Sequence, residues 1–268
     1  MLRFALLAGA VLALAGSSSD SYMFSQRGTV ATPRAAIHDG QPLERGVRLE
    51  GHMSSTVSSA IEQNAETGRP VGASGAAVAK NQAGGAVRFK AGELVDFGVE
   101  VDSAWSPTSA TREGARIAAP EEAVIGVALA MRGSTQETSD GMRLGWVMNI
   151  GTESSPVYRA NTGYISRDES FLFRAALVPS LKRGMVTIFG SLGLASESDV
   201  PSEVYVGGSE DDPGVVVNAT GAAFAAAAGA TVNLGNGAHL TARLGDAFAN
   251  ESHYGPQVDV GLSFDVGK

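Results

Sequence analysis

The sequence holds no cysteine. That excludes disulfides, thiolate nucleophiles and zinc–thiolate sites at once. Charge is sparse: 18% of residues are Asp, Glu, Lys or Arg, against about 25% in a typical soluble domain. The net charge of −8 leaves no basic stripe for phosphates, so a nucleic-acid partner is not expected. There are only two Trp. No apolar run is long enough to cross a bilayer as a typical helix. The apolar stretch Phe4–Leu14 is too short. It follows Arg3 and precedes Ala13-Leu14-Ala15, which fits a secretory signal peptide over residues 1–15. Ser17 stands where a lipoprotein signal would carry Cys, and its hydroxyl cannot form the lipid-anchoring thioether.

What the sequence has instead is glycine, 34 of them, and a period of two. In Gln257–Val266, Val258, Val260, Leu262, Phe264 and Val266 are apolar, while Asp259, Gly261, Ser263 and Asp265 between them are charged or small. Side chains alternate across a strand, so this segment has one greasy and one wet face. Similar alternation runs through 85–91, 95–102, 123–132, 143–150, 171–177, about 185–196, 238–244 and the Ala-rich 214–234. Phe189 breaks the pattern, and a short helix within 219–229 is an alternative because Ala favours helix. Gly235-Asn236-Gly237 is a tight-turn signal. Short and long connections alternate along the chain.

A long alternating strand near the C-terminus, with short and long connections in alternation, resembles the bacterial outer-membrane β-barrels. The resemblance implies an all-β, antiparallel transmembrane barrel of about ten strands, with eight as runner-up. Gly72–Lys80 is the candidate for the tenth strand, giving a barrel over 73–268. Residues 16–72 pattern weakly and read as a periplasmic arm, largely disordered, with a short helix over 53–66 and a lumen plug as the alternative. The expected location is the outer membrane, with its lipid as the one partner implied. No cofactor is expected.

A soluble barrel also alternates, with its apolar face inward. The opposite face here mixes small residues with isolated charges: Arg88, Lys90, Asp96, Glu100, Asp102, Arg132, Arg143, Arg174, Arg243, Asp259 and Asp265. A narrow lumen suits that mixture, and opposite signs on neighbouring strands can pair across it. These residues are the candidate site, a lumen charge network. Glu210, Asp211 and Asp212 form a short acidic run that could hold calcium, although a solvated loop tip is the ordinary explanation. His38 and His52 fall in the arm, His239 on a polar strand face, and His253 in a loop beside Ser252 and Glu251. No spacing matches an enzyme motif. The functional expectation is an envelope protein, structural or binding through external loops. A narrow pore, a rim-site enzyme on lipid or peptide, and a soluble periplasmic β-protein are the alternatives.

Overall fold

The computed structural model describes residues 22–24, 26–30, 38–43, 46–56, 77–78, 81–105, 110–112, 115–117, 123–159, 164–196, 202–206, 215–217, 222–249, 252–253 and 255–267. Ten long strands form the barrel. They are β1 (Val47–Thr56), β2 (Asn81–Lys90), β3 (Val95–Trp105), β4 (Val124–Ser134) and β5 (Met142–Arg159). After these come β6 (Tyr164–Arg183), β7 (Val186–Ser196), β8 (Ala222–Gly235), β9 (Ala238–Ala249) and β10 (Gln257–Val266). Each pairs antiparallel with the next, and β10 returns to β1 with Val266 opposite Val47 and Gln257 opposite Thr56. The sheet is closed, which leaves no barrel edge unpaired. Among the described residues there is no helix.

One end of the barrel is built of short connections. Gly184-Met185 joins β6 to β7, and Asn236-Gly237 joins β8 to β9. Asn236 and Gly237 both have positive φ, 55° and 81°, as a two-residue type I′ hairpin turn requires. The other end carries the long connections. There β5 and β6 run on as a paired ribbon to Arg159 opposite Tyr164. Further short strands lie outside the barrel path. Tyr22–Phe24, Ser202–Val206 and Val215–Val217 form a separate sheet, and Ala110–Arg112 pairs with Ala115–Ile117.

The faces are inverted relative to a soluble barrel. Large apolar side chains point outward and are exposed, among them Phe97, Leu129, Phe171, Leu192, Leu244 and Val260. Leu129 is 68% exposed while Arg88 is 2% exposed. In water so continuous an apolar surface would drive association; in lipid it is the stable arrangement. β10 has 10 residues. At ~3.3 Å per residue and a tilt of ~40° it rises ~25 Å, the height of an outer-membrane apolar band. Outward aromatics lie toward both ends. Phe89 and Phe97, opposite one another in the register and stacked at 5.6 Å, sit toward the short-turn end. Phe224 and Phe248, also register partners, sit toward the long-loop end.

The sequence expectation placed the barrel start too late. The first barrel strand is β1, inside the segment read as an arm. Its outward face, Val47, Leu49, Gly51, Met53 and Ser55, is weakly apolar, so its alternation is faint. Of Gly72–Lys80, only Ala77–Val78 is described as strand, and it pairs parallel with Thr29–Val30 rather than with the barrel. Met53–Thr56 is strand where the sequence suggests a helix over 53–66; residues 57–66 lie outside the described residues, as do residues 1–15, where a signal peptide is expected. Within the Ala-rich stretch Ala222–Gly235 forms β8, not a helix, with both of its edges paired to neighbouring strands, while Val215–Val217 belongs to the separate sheet. Eight strands are too few. The interval between the alternating stretches 143–150 and 171–177 is mostly strand, since β5 and β6 keep pairing up to Arg159 opposite Tyr164.

Candidate functional site: the lumen ion-pair network

The lumen has two unlike halves. On the β5–β8 side small, hydroxyl-bearing and apolar residues predominate, with Asn149, Glu153 and Arg174 among them. Val147, Ala176, Val178 and Phe189 form a buried cluster there. Phe189 turns inward and fills space over Gly229, which explains its place out of the apolar pattern. On the β1–β4 and β9–β10 side the lumen is charged.

Glu50 on β1 is the hub. It accepts from Arg88 Nη1 at 2.7 Å and from Arg132 Nη1 at 3.1 Å. Arg88 also forks onto Asp96, with Nε donating to Oδ1 at 2.8 Å and Nη2 to Oδ2. Arg132 approaches Glu100 at 3.8 Å. Glu100 accepts from Asn149 Nδ2 at 2.8 Å and from Arg174 Nη1 at 3.0 Å. Arg174 reaches Asp102 at 4.0 Å, and His52 Nε2 lies 2.8 Å from Asp102 Oδ1. A carboxylate only accepts, so His52 Nε2 is the donor. The groups form one continuous path across β1, β2, β3, β4, β5 and β6. Three guanidiniums (Arg88, Arg132, Arg174) face four carboxylates (Glu50, Asp96, Glu100, Asp102), with His52 beside the fourth.

Two further pairs stand beside it. Arg48 forks onto Asp265, its register partner on β10, and His239 Nε2 lies 3.5 Å from the same carboxylate. Arg243 and Asp259 are also register partners, and neither side chain has any exposed surface. Taking such charges out of water costs several kcal/mol per ion unless they are paired. Here each carboxylate meets a guanidinium or a histidine. Glycine makes room for one of these contacts. Gly84 lies between His52 and Asp102 on the same rung, and a Cβ on it would come within 2.1 Å of Asp102 Oδ1.

The sequence-derived candidates are therefore placed as follows. Arg88, Asp96, Glu100, Asp102, Arg132 and Arg174 come together in the main network. Arg243 with Asp259, and Asp265 with Arg48, form the separate pairs. Arg143 lies nearer the short-turn rim, where it donates to Glu137 at 3.1 Å. Lys90 is exposed at the same end, opposite Asp96 in the register. Glu210, Asp211 and Asp212 lie outside the described residues. Among the described residues no group of three or more His, Asp or Glu is arranged to hold a metal ion. His253 belongs to a two-residue strand paired with the end of β9, away from the network on β1–β6. Sequence reasoning missed Arg48, Glu50 and His52, all on β1, and Asn149. Their signal was the alternation Arg48, Glu50, His52, Ser54, Thr56.

A segment ahead of β1 also occupies the lumen. A Cβ on Gly145, whose neighbours place it on the inward face of β5, would meet Gly40 Cα at 2.6 Å. Gly40 in turn abuts Val178 of β6. Gln41 donates to Ser180 Oγ at 2.9 Å, and His38 Nδ1 lies 3.5 Å from Glu50. Leu43 is buried. Residues 38–43 therefore run inside the barrel, from mid-lumen at His38 toward Gly46 at the short-turn end, where Gly46 O accepts from Lys90 N. Beside this segment a cavity of about 100 Å³ remains, lined by Asp39, Gln41, Arg48, Thr187, Thr231 and His239 among others. It has room for ~three waters.

These features define the class: a transmembrane β-barrel of the outer-membrane type, closed, polar within and apolar without. No protein-family model matches the chain. No curated protein matches it in sequence. Among solved structures it is similar to the translocator domain of autotransporter NalP from Neisseria meningitidis, at 12% identity and TM-score 0.38, over 82% of this chain and 88% of that one. It is similar to the beta domain of the Bordetella autotransporter Brka at 12% identity and TM-score 0.44, over 83% and 100%. It is also similar to an outer membrane channel from Pseudomonas putida F1 at 11% identity and TM-score 0.44, over 86% and 99%. The class rests on this chain's own closed sheet and inverted faces.

Proposed function

We propose that this protein is a closed outer-membrane barrel that carries a binding surface on its long connections rather than a conduit. One observation supports this most: the lumen is crossed at mid-height by the Arg88–Glu50–Arg132–Glu100–Arg174 path, and residues 38–43 fill much of what remains. A ten-stranded barrel is narrow, so side chains of this size close it. The short turns then face the periplasm and the long connections face outward, the usual arrangement of the class. Outer-membrane lipid is the partner of the apolar belt. The extra-barrel strands at the long-loop end give the external surface some order of its own.

A narrow pore is the second reading. The cavity of about 100 Å³ beside residues 38–43 favours it, since Asp39, Arg48, Arg143 and Lys182 are among its lining residues and it lies in the lumen. Planar-bilayer recording separates the two. The closed-barrel reading expects membranes holding the folded protein to show no steady channels. Reproducible steps whose ion selectivity changes with Arg88→Ala would replace it with the pore.

A further inference from the structure

Two described pieces of the N-terminal region lie at opposite levels of the barrel. Residues 38–43 are inside it and lead to β1 at the short-turn end. Gln26–Val30 is at the other end. It pairs antiparallel with Val157–Arg159 of β5, in the ribbon beyond the apolar band, with Gly28 opposite Val157. Tyr22–Phe24 pairs with Ser202–Val206, from the long connection between β7 and β8. Thr29–Val30 also pairs with Ala77–Val78, from the connection between β1 and β2.

We propose that the N-terminal arm passes through the barrel: the chain ahead of His38 leaves the lumen at the long-loop end and lies on the external face. The reach is sufficient. His38 sits beside Glu50, whose rung continues through Ala86, Glu100 and Ala128 to Gly151. From Gly151 up to Val157 is ~20 Å along β5. The chain from Val30 to His38 spans ~27 Å when extended. No route around the outside is needed, because residues 38–43 are already enclosed.

The arm then does two things. Inside, it fills the half of the lumen lined by Gly145, Val178 and Ser180, which the ion pairs do not fill. Outside, its strands contact the connections after β1 and β7 and the outer end of β5, and join them into one surface. The arm belongs to the external binding surface, not to the periplasm where a sequence-based reading puts it. This rests on the barrel orientation given above, and the experiment reads the two separately.

The chain has no cysteine, so a single introduced thiol reports one position only. Thr29→Cys probes the arm, Ser209→Cys the connection between β7 and β8, and Asn236→Cys the β8–β9 turn. Intact cells are treated with a membrane-impermeant maleimide, then again after the outer membrane is permeabilised. Threading expects Thr29→Cys to label on intact cells together with Ser209→Cys, with Asn236→Cys labelling only after permeabilisation. If Thr29→Cys follows Asn236→Cys instead, the arm is on the short-turn side and the proposal is overturned. Orientation is read from Ser209→Cys against Asn236→Cys alone; an inverted pattern there sinks the orientation and leaves threading to be judged by which of the two Thr29→Cys follows. Should the thiol at 29 prove shielded under both conditions, an epitope tag placed after Ser19 decides. Antibody binding to intact cells upholds the proposal, and binding only after permeabilisation rejects it.

Discussion

Arg243 and Asp259 offer the cleanest measure of what the buried charges contribute. They face each other across β9 and β10, and both side chains are fully buried. Both Nε and Nη2 of Arg243 donate to the same oxygen, Oδ2, and Asp259 Oδ1 has no hydrogen-bond partner among the described residues. The two-oxygen fork seen at Arg48–Asp265 is not made here. Removing one member of a buried pair costs about 3–5 kcal/mol, chiefly because the other buried charge loses its counter-ion. The single-oxygen geometry argues for the lower end, so Arg243→Ala and Asp259→Ala are each expected to cost ~3 kcal/mol. That is ~100-fold in the ratio of folded to unfolded protein. The double Ala variant removes both charges and is expected to cost ~3 kcal/mol rather than the ~6 of the sum, a coupling of ~3 kcal/mol. Urea unfolding of protein folded into lipid vesicles, followed by the fluorescence of Trp105 and Trp146, supplies the four free energies. Single variants within ~0.5 kcal/mol of wild type would show that the pair is solvated in practice. Additive losses would show that the two residues do not act as a pair.

Gly84→Ala places a Cβ within 2.1 Å of Asp102 Oδ1 and 2.7 Å of His52 Nε2, so their contact cannot persist; a loss of ~1–3 kcal/mol is expected by the same urea method. Gly92→Ala, which meets nothing within 4 Å, is the control and should leave the midpoint unchanged. Gly145→Leu drives a side chain into the space of Gly40 and is expected to displace residues 38–43. In that background a Gln41→Cys thiol should react with a bulky maleimide at least roughly tenfold faster than in Gln41→Cys alone, equivalent to ~1.4 kcal/mol of easier opening. Equal rates would mean that the segment is not held against β5.

The architecture was legible wherever one strand face was uniformly apolar. β10 announces itself because Val258, Val260, Leu262, Phe264 and Val266 all face lipid. β1 does not, because Gly51 and Ser55 dilute its outward face while Arg48, Glu50 and His52 make it look like a solvated segment. That omission removed the hub of the network. Alternation alone assigns Arg88, Glu100 and Arg174 to one face, but it cannot say which of them meet. Arg174 lies 74 positions from Glu100 in sequence and 3.0 Å from it in space, and only the register of the four strands β3 to β6 brings that about. Residues 38–43 carry no period at all. Their place follows from the fit of Gly40 against Gly145, a shape match that a one-dimensional pattern does not contain.

The central claim is that the outward apolar face lies in lipid. It is tested most directly with single-cysteine variants at Leu129, Leu244 and Val260, each labelled with an environment-sensitive fluorophore and folded into vesicles of bromine-substituted phospholipid. A fluorophore at Asn236, in the β8–β9 turn, serves as reference. The structure predicts strong quenching by acyl-chain bromine at all three strand positions and little at the turn. If the three strand labels stayed unquenched and the protein remained in the aqueous phase, the barrel would be a soluble one and the account would be contradicted.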